Sequence, residues 1–127
     1  MSKIFSIFKN NGLAKLDELY FPEERFNWKE PWWNLEENQE LRLGIQKELN
    51  AEIGPKHPLW GLKPVVFGKT DACDDVVVHL KDGRFACVHL VWHGKIDQYP
   101  DKFPWTTIYE TASALQKFLD GESENYT

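Results

Sequence analysis

The residues best able to do chemistry in this sequence are four histidines, two cysteines and a group of aspartates, most of them between positions 71 and 93. Asp74, Cys87 and His89 form the best catalytic candidate, because a carboxylate can orient an imidazole that activates a thiol. That set predicts a small hydrolase. The competing interpretation is a core cysteine beside a hydrogen-bonded histidine. We favour it, because no residue marks an oxyanion hole, and we assign no catalytic residue.

The sequence contains no recognised motif for a metal or cofactor site. Cys73 and Cys87 lack the short paired spacing of a zinc site, and His89 with His93 has helical ligand spacing inside a predicted strand and its exit. No glycine-rich phosphate loop is present in the sequence either. The sequence therefore predicts no metal and no cofactor. The two cysteines are interpreted as small buried hydrophobic residues of a reducing compartment.

These residues must be positioned by a β-hairpin that spans Asp74 to Trp92, where two runs rich in β-branched residues flank Asp82-Gly83. A two-residue turn predicts the cross-strand pairs Lys81 with Arg84, Leu80 with Phe85, Val78 with Cys87 and Val76 with His89. In this register His89 is a diagonal neighbour of Asp74, and His79 lies on the opposite face. Both faces are mostly apolar, so other elements must cover them.

Periodic patterns supply those elements. A strand is predicted over 65–70 and a short helix over 13–20. Asn34 and Glu37 form a capping box for a middle helix that Gly54 ends, and its apolar row is Leu41, Ile45, Leu49 and Ile53. Thr107 and Glu110 form a second capping box for a last helix that Gly121 ends, and its apolar row is Ile108, Ala112, Leu115 and Leu119.

The predicted fold class is α+β: a three-stranded or larger antiparallel sheet with a central β-hairpin, packed by two or three helices. The chain of 127 residues is long enough for one domain over 1–127. Residues 1–35 are predicted to be an irregular, aromatic-rich lead that includes an apolar patch from Ile4 to Phe8. Residues 122–127 are predicted to be a loose polar tail.

Charge and composition exclude several classes of function. Fifteen basic residues against twenty acidic residues give a net charge of −5, without a basic cluster that would bind a phosphate backbone. Direct binding of nucleic acid is therefore not expected. No apolar run is long enough for a transmembrane helix or a cleaved signal peptide. We expect a cytoplasmic protein without a membrane partner.

Two groups of residues are candidates for binding a protein partner. Asp71, Asp74 and Asp75 cluster at the entry to the hairpin, where they could form an acidic lip beside Trp92 and His93; the alternative is that they are ordinary turn residues before the strand starts. The second group consists of the aromatic residues Trp28, Trp32 and Trp33, which form either an exposed anchor or a loop packed on the core.

Four segments of the sequence resemble a run found in small bacterial proteins of uncharacterised activity: His57–Leu62, Asp74–Val76, Val88–Trp92 and Pro104–Thr106. Some small acidic proteins of this kind are immunity proteins of secreted toxins. The resemblance implies a non-enzymatic protein that neutralises a basic toxin domain, often a nuclease, by binding to it. The alternatives are the hydrolase described above and an accessory subunit of a larger complex.

Overall fold

The computed structural model describes residues 12–126, so the apolar patch from Ile4 to Phe8 lies outside the described residues, as does Thr127. Within 12–126 the chain has an α+β fold, as predicted, with one antiparallel sheet and two α-helices. The strands are β1 (Trp32–Asn34), β2 (Val65–Thr70), β3 (Asp75–His79), β4 (Phe85–His89) and β5 (Trp105–Tyr109). The helices are α1 (Gln39–Glu52) and α2 (Ala112–Glu124).

The sheet order is β1-β2-β3-β4-β5, so each strand pairs with its neighbour in sequence. The predicted strand over 65–70 is confirmed, and it pairs with β3, the first strand of the hairpin. One face of the sheet packs against α1 and is mainly aliphatic, with Val76, Val78 and Val88 at its centre. The other face packs against α2 and contains an aromatic cluster that includes Trp32, Phe67, Phe85 and Phe118.

The hairpin turn has three residues rather than two, so the predicted register is wrong by one position. Leu80 N–H donates to Arg84 O at 2.8 Å, and Gly83 N–H donates to Leu80 O at 2.9 Å. Gly83 has a φ of +93°, which glycine adopts without strain after a type I turn. His79 therefore faces Phe85, and Asp75 faces His89. Because side chains alternate between the two faces of a sheet, a shift of one residue turns every side chain of one strand to the opposite face relative to those of its partner strand.

Helix α1 begins later than predicted. Asn34 caps a short 3₁₀ turn over Leu35–Glu37, and Asn38 caps α1 by accepting a hydrogen bond from Leu41 N–H at 3.0 Å. The predicted apolar row is correct, because Ile45, Leu49 and Ile53 are buried. The predicted helix over 13–20 is reduced to a 3₁₀ turn over Leu16–Glu18.

Strand β5 was not predicted. Thr107 and Glu110 resemble a capping box, but Thr107 pairs with Cys87 inside the sheet, and Thr111 caps α2 instead. Leu115 and Leu119 are buried on α2 as predicted. Gly121 does not end the helix, so residues 122–124 are helical and not a loose tail. The predicted irregular lead likewise contains a strand, β1.

Candidate functional site

Several candidate residues lie at one end of the sheet. Since neighbouring strands are antiparallel, the end of β2, the start of β3, the end of β4 and the start of β5 all lie there. We call this region the open end. Its members are Asp71, Cys73, Asp74, Asp75, His89, Trp92, His93 and Trp105.

An Asp-His pair forms the centre of the open end. His89 Nδ1 lies 2.6 Å from Asp75 Oδ1, and the two residues are direct cross-strand partners. The His89 side chain is 51% exposed and that of Asp75 is 22% exposed. The predicted partner was Asp74, and this assignment is wrong because of the one-residue slip. Asp74 is exposed instead, and its carbonyl accepts a hydrogen bond from Leu90 N–H at 3.3 Å.

Cys87 is not placed as a nucleophile. It is buried, and its thiol donates to Asp75 Oδ2 at 3.9 Å. Burial raises the pKa of Cys87 far above its usual range, and the charge of Asp75 raises it further. The thiol is therefore protonated near neutral pH. A Cys87-His89-Asp74 triad is not assembled, because the hydrogen-bond partner of both Cys87 and His89 is Asp75.

Cys73 was predicted to be buried, but it is exposed. The bend between β2 and β3 carries it back toward the Asp75-His89 pair. Cys73, Asp75 and His89 each offer one ligand atom, and these atoms all lie within 4.8 Å of one another. A search for short sequence motifs could not find this set, because its members come from a bend and two different strands.

A cleft of about 220 Å³ opens beside the pair, on the face of the sheet that packs against α2. Its lining residues are Asp75, Cys87, His89, Trp105, Thr107, Tyr109 and Phe118. Trp105 pairs with His89 across β4 and β5, and it is 61% exposed. Trp105 was not among the predicted site residues. The β-branched and aromatic run from Trp105 to Tyr109 is the signal that could have placed it on a strand.

Trp92 and His93 are exposed, as a binding role requires, and Trp92 is 49% exposed. Trp92 has a φ of +59°, a left-handed conformation that is uncommon for a bulky residue. The buried carboxylate of Glu52 holds this backbone by accepting hydrogen bonds from Val91 N–H at 2.9 Å and Trp92 N–H at 2.7 Å. Burial raises the pKa of Glu52 to about 7, with a further contribution from Glu48.

The second predicted surface is not an exposed aromatic patch. Trp32 is buried at 2% exposure against Phe118. Trp28 is half-buried and its ring lies against Gly68, where an added Cβ would come within 2.4 Å of it. Trp33 is half-buried and donates from Nε1 to Asp71 Oδ1 at 3.0 Å. These residues therefore pack toward the core rather than form an exposed anchor, but Trp32 and Trp33 do so from strand β1 and not from a loop.

The remaining histidines have structural contacts. His57 is buried; its Nε2 lies 2.8 Å from Pro104 O, and its Nδ1 accepts from Leu59 N–H at 3.0 Å. Burial lowers the pKa of His57, which keeps the ring neutral. His79 contacts the Phe85 ring and the Tyr20 hydroxyl, the latter at 2.9 Å from Nδ1. In the register of the structure, His79 shares a face with His89, contrary to the prediction.

Comparisons of the chain with protein-family models, curated proteins and solved structures found no match. Over residues 12–126, neither α-helix has the length and apolar character needed to cross a membrane.

Proposed function

We propose that this chain is a non-enzymatic protein-binding domain, an immunity protein of a bacterial toxin system that neutralises a basic toxin domain by binding to it. The observation that carries the proposal is the composition of the open end. Two exposed tryptophans, Trp92 and Trp105, lie at the same end of the sheet as the exposed carboxylates of Asp71 and Asp74.

Exposed tryptophan is favourable at a protein interface. A half-exposed indole ring offers a large apolar area with few rotatable bonds, so a partner pocket gains much by covering it. The two rings lie on opposite faces of the sheet. Trp92 borders a groove against α1, and Trp105 lines the cleft beside α2. A partner that covers the open end would bury both rings.

Electrostatics favours a basic partner. The chain carries a net charge of −5, and Asp74 is exposed at the open end. Asp71 contributes less, because Lys69 Nζ lies 3.4 Å from its Oδ1. Carboxylates at such a surface steer a cationic partner and would compete with the nucleic-acid phosphates of a nuclease. The Asp75 side chain hydrogen-bonds to His89, so it would meet a cationic partner as part of the Asp75-His89 pair.

A cytoplasmic location is part of the proposal. Cys73 and Cys87 are both free, which suits a reducing compartment. The same location would place the domain where an immunity protein protects the cell that makes the toxin.

A small hydrolase is the second candidate, and the exposed Asp75-His89 pair beside a cleft is the observation that favours it. In the geometry described above Cys87 is buried and its pKa is raised, so it could serve as the nucleophile only in a conformation that exposes the thiol. Rapid reaction of Cys87 with a thiol reagent in the folded protein would favour the hydrolase, whereas a slow reaction would favour the binding role. A role as an accessory subunit would be favoured if no neighbouring gene encodes a secreted toxin.

The experiment is to titrate the purified chain with the toxin domain encoded by an adjacent gene, using calorimetry at low and high salt. We expect stoichiometric binding that weakens with salt. The double variant D71K/D74K should weaken binding at least about tenfold, because two attractive charges become repulsive.

A matched control is D17K/E18K, which changes the net charge by the same amount. Glu18 lines a cleft with Lys63 and Lys81, beside the hairpin turn at the other end of the sheet. Binding by this variant should stay within about threefold of wild type. Equal weakening by both variants would mean that only net charge matters, and absence of binding to any adjacent toxin would remove the immunity proposal.

A further inference from the structure

The geometry points to a binding site for a thiophilic divalent cation such as Zn²⁺ at the open end, with Cys73, Asp75 and His89 as ligands and Cys87 as the fourth. This site is independent of the proposed function, because it needs no protein partner. Three of its ligand atoms already lie within 4.8 Å of one another. Cys87 Sγ lies 3.9 Å from Asp75 Oδ2 but outside this group of three, so the thiol must move closer to the other two ligand atoms to serve as the fourth ligand.

The distances are close to what a tetrahedral site needs. With metal–ligand distances of about 2.0–2.3 Å, neighbouring ligand atoms are about 3.3–3.8 Å apart. The three ligand atoms of Cys73, Asp75 and His89 therefore need to move by about an ångström or less. Cys73 can make this movement, because it is exposed in the bend before β3. Asp75 and His89 are held in register by the sheet.

The donor set selects the kind of metal. Thiolate and imidazole ligands favour Zn²⁺ and Co²⁺ over Mg²⁺ and Ca²⁺, which require mainly oxygen ligands. Two thiols, one imidazole and one carboxylate would close a four-coordinate site. Binding releases the thiol protons of Cys73 and Cys87 to solvent, and the dication compensates for placing negative charge on buried Cys87.

The bound metal would fix the bend before β3 to β4. Without it, the bend at 71–74 is exposed and is joined to β4 through the pairing of Asp74 with Leu90. With it, Cys73 becomes tied to His89 and Cys87 on β4. The metal thus acts as a structural clamp at the sheet end where the proposed binding surface lies.

The test is a titration of the reduced, metal-free full-length chain with Co²⁺ and then Zn²⁺. We expect one Co²⁺ per chain, with a thiolate-to-cobalt charge-transfer band and the visible spectrum of a tetrahedral site, and we expect Zn²⁺ to displace the Co²⁺. The variants C73S and H89A should lower the affinity at least about 100-fold. C87S should lower the affinity and remove about half of the charge-transfer intensity, since it removes one of two thiolates.

Asp74→Asn and His93→Ala are the matched controls, because both residues are exposed at the open end but lie outside the ligand set. Each should bind Co²⁺ as wild type does. A second measurement on the wild-type chain avoids any folding defect of the variants: Zn²⁺ should slow alkylation of exposed Cys73 at least about tenfold. Absence of stoichiometric binding, binding that survives H89A, or alkylation unaffected by Zn²⁺ would overturn the site.

Discussion

The two faces of the sheet use polar side chains in different ways. On the α1 face, Gln46 and Glu52 are buried, and each makes two hydrogen bonds to backbone groups. On the α2 face at the open end, Asp75 and His89 bond to each other and remain partly exposed. Buried polar groups whose partners are backbone atoms stabilise the fold. Exposed groups that bond mainly to one another can exchange that contact for a ligand.

Gln46 gives the largest expected effect. Its Oε1 accepts from Val66 N–H at 2.9 Å and its Nε2 donates to Pro64 O at 2.9 Å, so it joins α1 to the start of β2. Gln46→Ala leaves both backbone groups buried without these partners and opens a cavity. We expect a loss of about 3–4 kcal/mol in the free energy of unfolding, measured by urea denaturation.

Gln116 is the matched control for Gln46. It makes the same kind of contacts, accepting from Asn27 N–H at 2.8 Å and donating to Asn27 O at 3.0 Å, but it is only partly buried on α2 and its partner Asn27 is exposed. Water can replace the side chain there, so Gln116→Ala should cost only about 1 kcal/mol or less. Equal losses for the two variants would show that burial does not distinguish the two faces.

Glu52 gives the next effect, which depends on pH. Its pKa rises from 4.5 in the unfolded chain to about 7 in the folded protein. Between these values the folded state keeps a proton that the unfolded state has released, so raising the pH favours unfolding. Glu52→Gln cannot titrate. Relative to this variant, the wild-type free energy of unfolding should fall by at most about 3 kcal/mol between pH 4.5 and pH 7.5.

The difference between wild type and the Gln variant is the quantity to measure, because His57 changes stability in the opposite direction. Burial lowers the pKa of His57, so its contribution is lost as the pH falls below 6.5. This contribution cancels when both proteins are unfolded at the same pH values. Parallel pH profiles for the two proteins would contradict a raised pKa at Glu52.

The sequence predicted the elements better than it predicted the site. Apolar spacing correctly identified the hairpin, strand β2 and the buried row on α1, because burial imposes periodicity on residues such as Ile45 and Leu49. The Asp82-Gly83 pair suits both a two-residue and a three-residue loop, and the choice between them is settled by tertiary packing. Because of this ambiguity, the sequence predicted Asp74 as the partner of His89, whereas the partner in the structure is Asp75.

Strand β5 and the Cys73 contact were missed for different reasons. Thr107 and Glu110 have capping-box spacing by coincidence, and a local pattern cannot reveal that Thr107 pairs with Cys87. The return of Cys73 to the Asp75-His89 pair depends on the path of a bend, for which the sequence carries no periodic signal. Residues that meet through a bend and a sheet register are thus found only in the structure.

His89 gives the smallest expected effect, and its comparison with His57 contrasts a side chain that is free to bind a ligand with one that holds the fold together. His57→Ala removes two buried contacts, to Pro104 O and Leu59 N–H, so we expect a loss of about 2–3 kcal/mol in the free energy of unfolding. In metal-free protein, His89→Ala removes one partly exposed hydrogen bond to Asp75 and should cost less than about 1 kcal/mol.

Urea denaturation with and without Zn²⁺ measures both effects in one experiment. Zn²⁺ should raise the stability of wild type and of the His57 variant, because each keeps the proposed ligands, but it should leave the His89 variant unchanged. A large loss for His89→Ala without metal would instead make the Asp75-His89 pair a structural contact like that of His57. The exposure of His89 at the edge of the cleft argues for the smaller loss, since water can replace an exposed partner.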